Sequence, residues 1–283
     1  MLLIGGLLAA CGQGDRTDTP PPVRPPVTVS GTSAAPARGE AVLSNPQSPP
    51  PGLVEQLKLP QAGGSDPCVQ SDRFLIWADH EDEFGIPSRS TVAAPLTGEI
   101  PQFKSICVGG ISPGRTAAVT LTAPSGKTIH TTSVTRPRDG TFAETPKVIL
   151  RFIPGHEVGT YTITARLDGR TTIRKVTIKR TARPRMLLLS QHPDNAAIER
   201  KSIDRLRFAF GGLPPGKVTP FYLYYDASQS GNLRFHSTYR VTSNALGEAL
   251  FNILVSAQTP LGSYVLTNDP SSENGTGALW HLV

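Results

Sequence analysis

Few side chains in this 283-residue chain are spaced for catalysis. Ser125-Gly126-Lys127-Thr128 has the closing residues of a phosphate-binding loop. Position 121, however, is Leu where such a loop needs its first glycine, and the flanks alternate like strands instead of passing from strand to helix. A turn between two strands is the expectation. No His-Glu-x-x-His pair occurs in the sequence. Asp79-His80-Glu81-Asp82-Glu83 presents carboxylates to calcium. Calcium sites take about six to eight oxygens, and neighbouring side chains cannot all turn toward one ion, so an exposed acidic loop is expected. A hydrolytic site would require that loop to bring His80 and Glu81 to His156 and Glu157. No catalytic residue, metal ligand or cofactor is assigned.

The thiols carry more information. Leu8-Ala9-Ala10-Cys11 closes an apolar run that stops abruptly at Gly12-Gln13-Gly14-Asp15-Arg16. A membrane-spanning helix needs about 20 apolar residues, roughly twice what is present. The tetrapeptide resembles the lipobox of bacterial lipoproteins. That resemblance implies a signal peptide and lipobox over residues 1–11, acylation of the Cys11 thiol, and an extracytoplasmic protein held at the outer membrane or cell surface. One departure is that Met1 runs directly into Leu2-Leu3-Ile4, without the usual basic residues. Each buried acyl methylene contributes about 0.8 kcal/mol, so two or three chains hold far better than one. With Cys11 acylated, Cys68 and Cys107 remain as an even pair, which favours a disulfide in an oxidising compartment. Closing that loop stabilises the fold by roughly 4 kcal/mol in the chain-entropy account. Two free thiols are the alternative; neither cysteine has a second ligand at zinc spacing.

The net charge of +6 is modest, and no basic block is interleaved with aromatics, so no nucleic-acid partner is expected. Aromatics at 6% with 27 glycines and 27 prolines suit short strands and many turns. Residues 12–67 hold few large apolar side chains and include Pro20-Pro21-Pro22, Pro25-Pro26 and Pro49-Pro50-Pro51. They read as a disordered proline-rich linker, with a reach between about 40 Å as a coil and about 160 Å fully extended. Within it Leu53 to Leu59 has the pattern of one or two helical turns, too short to stand alone.

An internal repeat sets the domain plan. Ile106-Cys107-Val108-Gly109-Gly110-Ile111-Ser112-Pro113-Gly114 matches Phe208-Ala209-Phe210-Gly211-Gly212-Leu213-Pro214-Pro215-Gly216 at an offset of 102. Gly159 to Thr164 matches Gly262 to Thr267 at an offset of 103. Two modules follow, 68–182 and 183–283. Val119, Leu121 and Ala123 alternate with Thr120 and Thr122, and similar period-two runs supply seven short strands per module. Asp168-Gly169 signals a hairpin. Only Asn195 to Ser202, with Asp194 as N-cap, reads as helix.

Gly159-Thr160-Tyr161-Thr162-Ile163 and Gly262-Ser263-Tyr264-Val265-Leu266 resemble the tyrosine corner of immunoglobulin-like domains. The fold class expected is therefore all-β: two tandem immunoglobulin-like Greek-key sandwiches after the linker. Ile163 and Leu266 stand where antibody domains carry their second cysteine, so the resemblance leaves Cys68 as the partner of Cys107. Such modules imply no activity by themselves.

Two surfaces invite recognition. Arg170, Arg174, Lys175, Lys179, Arg180, Arg183 and Arg185 form a basic stretch that suits anionic polymers or headgroups, or that keeps an exposed strand from aggregating. If Phe221, Leu223 and Tyr225 face the core, Tyr222 and Tyr224 face outward beside Arg234, His236 and Arg240, a patch suited to glycans or a protein partner. The expected function is a non-enzymatic structural, adhesion or binding module. Its partners would be the membrane, through the lipid anchor, and an envelope glycan or protein assembly. The alternative is a secreted hydrolase or accessory domain of an envelope enzyme.

Overall fold

Alternating apolar side chains decide the architecture of the computed structural model, which describes residues 35–43, 46–58, 73–78, 96–138, 147–191, 197–228, 230–271 and 276–283. Strands β1 (Ala37–Val42) and β2 (Gln56–Lys58) come from the proline-rich stretch. A first sandwich follows, with β3 (Ile76–Ala78), β4 (Leu96–Ile100), β5 (Gln102–Val108), β6 (Thr116–Thr122), β7 (Thr128–Thr135), β8 (Lys147–Phe152), β9 (Gly159–Leu167) and β10 (Arg170–Arg180). The second has β11 (Arg185–Leu188), β12 (Ala197–Ile198), β13 (Arg205–Gly211), β14 (Val218–Asp226), β15 (Asn232–Thr242), β16 (Ala249–Leu254), β17 (Gly262–Thr267) and β18 (Gly277–Leu282).

In the first sandwich a β3-β5-β8 sheet shares one core with a β4-β10-β9-β6-β7 sheet; in the second, β1-β16-β13-β11 shares a core with β12-β18-β17-β14-β15-β2. The expected all-β, immunoglobulin-like fold is present in both copies. Strands β3 to β10 correspond in order to β11 to β18. Each module carries one strand beyond the seven read from the sequence: β4 pairs in parallel with β10, and β12 with β18.

Alternation places Ala117, Val119 and Leu121 of β6 opposite Val148, Leu150 and Phe152 of β8 in the first core. The second core is more aromatic. The Tyr264 and Trp280 rings stack at 5.5 Å, and Phe208 meets Trp280 edge-on at 5.5 Å. Such pairs contribute about 0.5–1.5 kcal/mol beyond their buried area. Both tyrosine corners form: Tyr161 Oη–H donates to the Glu157 carbonyl at 2.7 Å and Tyr264 Oη–H to the Pro260 carbonyl at 2.6 Å. The β9–β10 hairpin turns through Asp168 (φ 49°) and Gly169 (φ 76°), as its sequence predicts.

Two local expectations fail. Of the stretch Asn195 to Ser202, the described residues 197–202 are not an α-helix: Ala197 and Ile198 add to β18, and a 3-10 turn follows at Arg200–Ser202. Pairing with β18 supplies backbone partners that one isolated helical turn cannot. Asp194, Asn195 and Ala196 lie outside the described residues.

The second correction concerns the linker, part of which is folded onto the second sandwich. Strand β1 pairs in parallel with β16, from Ala37 opposite Ala249 to Val42 opposite Leu254, and its Ala37 and Ala41, with Leu43 beyond, pack against the core. Gly39 is obligatory here, since a Cβ would stand 2.7 Å from the Phe251 ring. The Gln47 amide donates to the His236 carbonyl at 2.7 Å, and β2 pairs antiparallel with β15. Residues 53–58 are thus a loop and a strand rather than helical turns, and Leu59 lies outside the described residues. An open sheet edge demands backbone partners, and a strand of small residues satisfies it without the apolar content that hydrophobicity arguments look for.

Candidate functional site

The tyrosine patch lies away from the core, as alternation predicts, but it is covered. Phe221 and Leu223 are in the core with Tyr225 packed against it, and Tyr222 and Tyr224 lie on the other face of β14; the β14–β15 register shifts between Leu223 and Tyr224 because β15 carries an extra residue there, His236, beside the Tyr225 ring. Tyr224 is fully buried under β2, in a cluster with Leu233, Val265 and Leu57, and its Oη–H donates to the Val54 carbonyl at 2.5 Å. His236 is buried as well, its Nδ1 3.1 Å from Ser237 Oγ, and burial holds its pKa below the ordinary imidazole value. Tyr222 is half-buried; only Arg234 and Arg240 are exposed. The expected outward aromatic face is therefore the floor beneath the proline-rich segment. Beside it, the Asp226 carboxylate accepts from the Ser228 amide, Ser228 Oγ, Ser230 Oγ and the Gly231 amide, which hold it below the usual carboxylate range and fix the hairpin.

The basic stretch does not act as one surface either. Lys175 and Lys179 point outward from β10, whereas Arg174 and Arg180 lie on the face that also carries Val176 and Ile178. Arg170 donates to the Gly110 carbonyl and lies over the Phe74 ring at 5.1 Å. Lys179 and Arg185 both approach Glu99, at 3.4 and 3.2 Å, and Arg183 is exposed. Arg180 Nε donates to Glu248 Oε1 of the second sandwich at 3.1 Å. Glu248 is almost wholly buried, and its other oxygen faces the Gly155 amide at 3.4 Å. Sequence reasoning missed Glu248; the available signal was one acid immediately before an alternating apolar strand.

The remaining candidates are dispersed. Ser125 belongs to the β6–β7 turn, and its amide and Oγ–H donate to the Glu157 carboxylate at 3.0 and 2.6 Å. Glu157 thereby clamps the turn. His156 lines a groove of about 460 Å³ between β7 and β8, and burial lowers its pKa. Cys107 is fully buried on the outer face of β5, directly across from Trp77 of β3. Cys11, Cys68, His80, Glu81 and the rest of the Asp79 to Glu83 loop lie outside the described residues.

No family model and no curated protein matches the sequence. Among solved structures, trypsin-activated α-2-macroglobulin from Escherichia coli aligns over 79% of this chain and 16% of its own, at 12% identity and a TM-score of 0.27. A tetra-tandem repeat from the extending region of a large adhesion protein aligns over 65% of this chain and 45% of its own, at 14% identity and a TM-score of 0.22. The BSP domain of a biofilm-associated protein covers 68% of this chain and 29% of its own, at 14% identity and a TM-score of 0.24. The chain thus spans less than half the length of each of these three proteins.

Proposed function

We propose that this protein is a non-enzymatic, lipid-anchored component of a bacterial cell envelope, in which two immunoglobulin-like sandwiches act as one stiff structural or binding body. The observation that carries the reading is the Arg180–Glu248 pair: a buried carboxylate of one module is held by a guanidinium of the other, so the tandem does not behave as beads on a string. The lipobox-like Leu8-Ala9-Ala10-Cys11 supports the anchor. The stretch that follows it joins the second sandwich through β1, close to the junction, because Pro36 lies where a Gly155 Cβ would point.

The reading includes a Cys68–Cys107 disulfide. Its support is that Cys107 is buried on the outer sheet face, and that Cys68 is the cysteine left once Cys11 is acylated.

Mass spectrometry of protein extracted from membranes tests the anchor. The amino-terminal peptide should begin at Cys11 and carry acyl chains, and Cys11→Ser should move the protein to the soluble fraction. An uncleaved, unmodified leader would overturn the proposal.

A further inference from the structure

The two modules differ at one pair of edges. In the second, the cleft between β15 and β16 is closed by the chain's own amino-terminal segment, which pairs with β16 up to Leu254, hydrogen-bonds to Leu254 through Leu43 and crosses to His236 through Gln47. In the first, the equivalent strands are β7 and β8. Among the described residues β8 has β5 on one side and no strand on the other, and β7 likewise ends its sheet. The groove of about 460 Å³ lies at that place, floored by Leu121, Ile129 and Leu150 and rimmed by His130, Arg151 and His156. It opens at the start of β7 and the end of β8, away from the β7–β8 connection.

We propose that this groove receives an extended strand from a protein partner, laid parallel on β8 as β1 lies on β16, with small or medium apolar side chains directed inward and a carboxylate opposite Arg151. Register defines the requirements. Phe103 pairs with Arg151, and Arg205, 102 residues further on, pairs with Leu254, so Arg151 holds the position that faces Val42 in the second module. By the same register Val148 replaces Phe251, because Ile106 pairs with Val148 and Phe208 with Phe251. The ring that forces Gly39 to be glycine is absent, and a β-branched residue fits there. The rim carries one arginine, two histidines and no acid among its lining residues, and His156 Nδ1 is buried without a hydrogen-bond partner among the described residues. Edge pairing would supply affinity through the backbone, and the inward pockets with Arg151 would supply selection. The proposal holds whether or not Cys11 is acylated, so it and the anchoring reading fail separately.

The probe is a fluorescent peptide with the sequence of residues 35–47 carrying Gly39→Val and Val42→Glu, titrated into the full chain. The first substitution bars it from β16 and the second aims a carboxylate at Arg151. Saturable one-to-one binding is expected, with new amide protection on β8. Arg151→Glu in the protein, an exposed position, should weaken binding by about tenfold or more, as should Val42→Lys in the peptide. Absence of saturable binding, protection confined to β16, or indifference to Arg151→Glu would overturn the proposal. Self-association of the unliganded chain that Arg151→Glu abolishes would also overturn it, by making a second copy the occupant.

Discussion

Arg180 and Glu248, 68 residues apart, join the last strand of one sandwich to the second sandwich, with Nε 3.1 Å from Oε1. The carboxylate is almost fully removed from water, whereas the guanidinium is about one quarter exposed. Removing one member of such a pair leaves a buried charge unpaired, which costs about 3 kcal/mol. Arg180→Met should therefore lower stability by about 2–3 kcal/mol in urea unfolding, and the double variant Arg180→Met, Glu248→Leu should recover most of it. Additive losses in the double variant would show that the two side chains act independently.

Gly39 offers the sharpest test of the folded amino-terminal segment. A methyl group at this position would stand 2.7 Å from the Phe251 ring, so Gly39→Ala must displace either the ring or the strand. A loss of about 1–3 kcal/mol is expected, with faster proteolytic cleavage between residues 43 and 53. Tyr224→Phe, which leaves the Val54 carbonyl without its donor, should cost about 1 kcal/mol and loosen the same segment.

The two tyrosine corners should respond alike. Tyr161→Phe and Tyr264→Phe each delete one phenol-to-carbonyl bond four residues back in the chain, and each should cost about 1–2 kcal/mol without changing the fold. Equilibrium unfolding of the two variants checks both the magnitude and the symmetry.

Stability should fall at both ends of the pH scale. Burial pushes the phenols of Tyr161 and Tyr224 up to about 12, Glu157 adding to the effect at Tyr161, and burial raises Tyr264 and Tyr225 too. A raised folded-state pKa gives stability that is complete below the ordinary phenol value near 10 and is lost as pH climbs toward 12. His156 and His236 are held low by burial, so their contribution is complete above about pH 6.5 and is lost as pH falls. Urea midpoints against pH, with phenolate absorbance followed in parallel, should show a plateau between these limits. Early titration of the buried phenols in the folded protein would contradict the packing described.

Strands with two or three buried alternating residues were legible from sequence, and the repeat at offsets of 102 and 103 gave their order. What escaped notice was held by backbone pairing and not by apolar side chains. Strand β1, with Ala37, Gly39 and Ala41 inward, has almost no hydrophobic signal; β4 is interrupted by Gly98; and β12 is only Ala197–Ile198. The burial of Tyr224 was hidden for another reason. Period two puts Tyr224 on the face away from the core, where it is, but nothing around it in sequence shows that residues 54–58 lie over that face, and no residue type announces the bulge at which His236 is buried. Side-chain function was harder still to read, because most polar candidates are used internally: Glu157 on Ser125, Asp226 on its own hairpin, and Arg180 on Glu248.

Amide hydrogen exchange across residues 36–47 of the intact chain tests most directly whether the amino-terminal segment is a built part of the second sandwich. Protection of that segment comparable to β16, lost on Gly39→Ala, is the predicted result. Exchange at the rate of an unstructured chain, with β16 still protected, would contradict it.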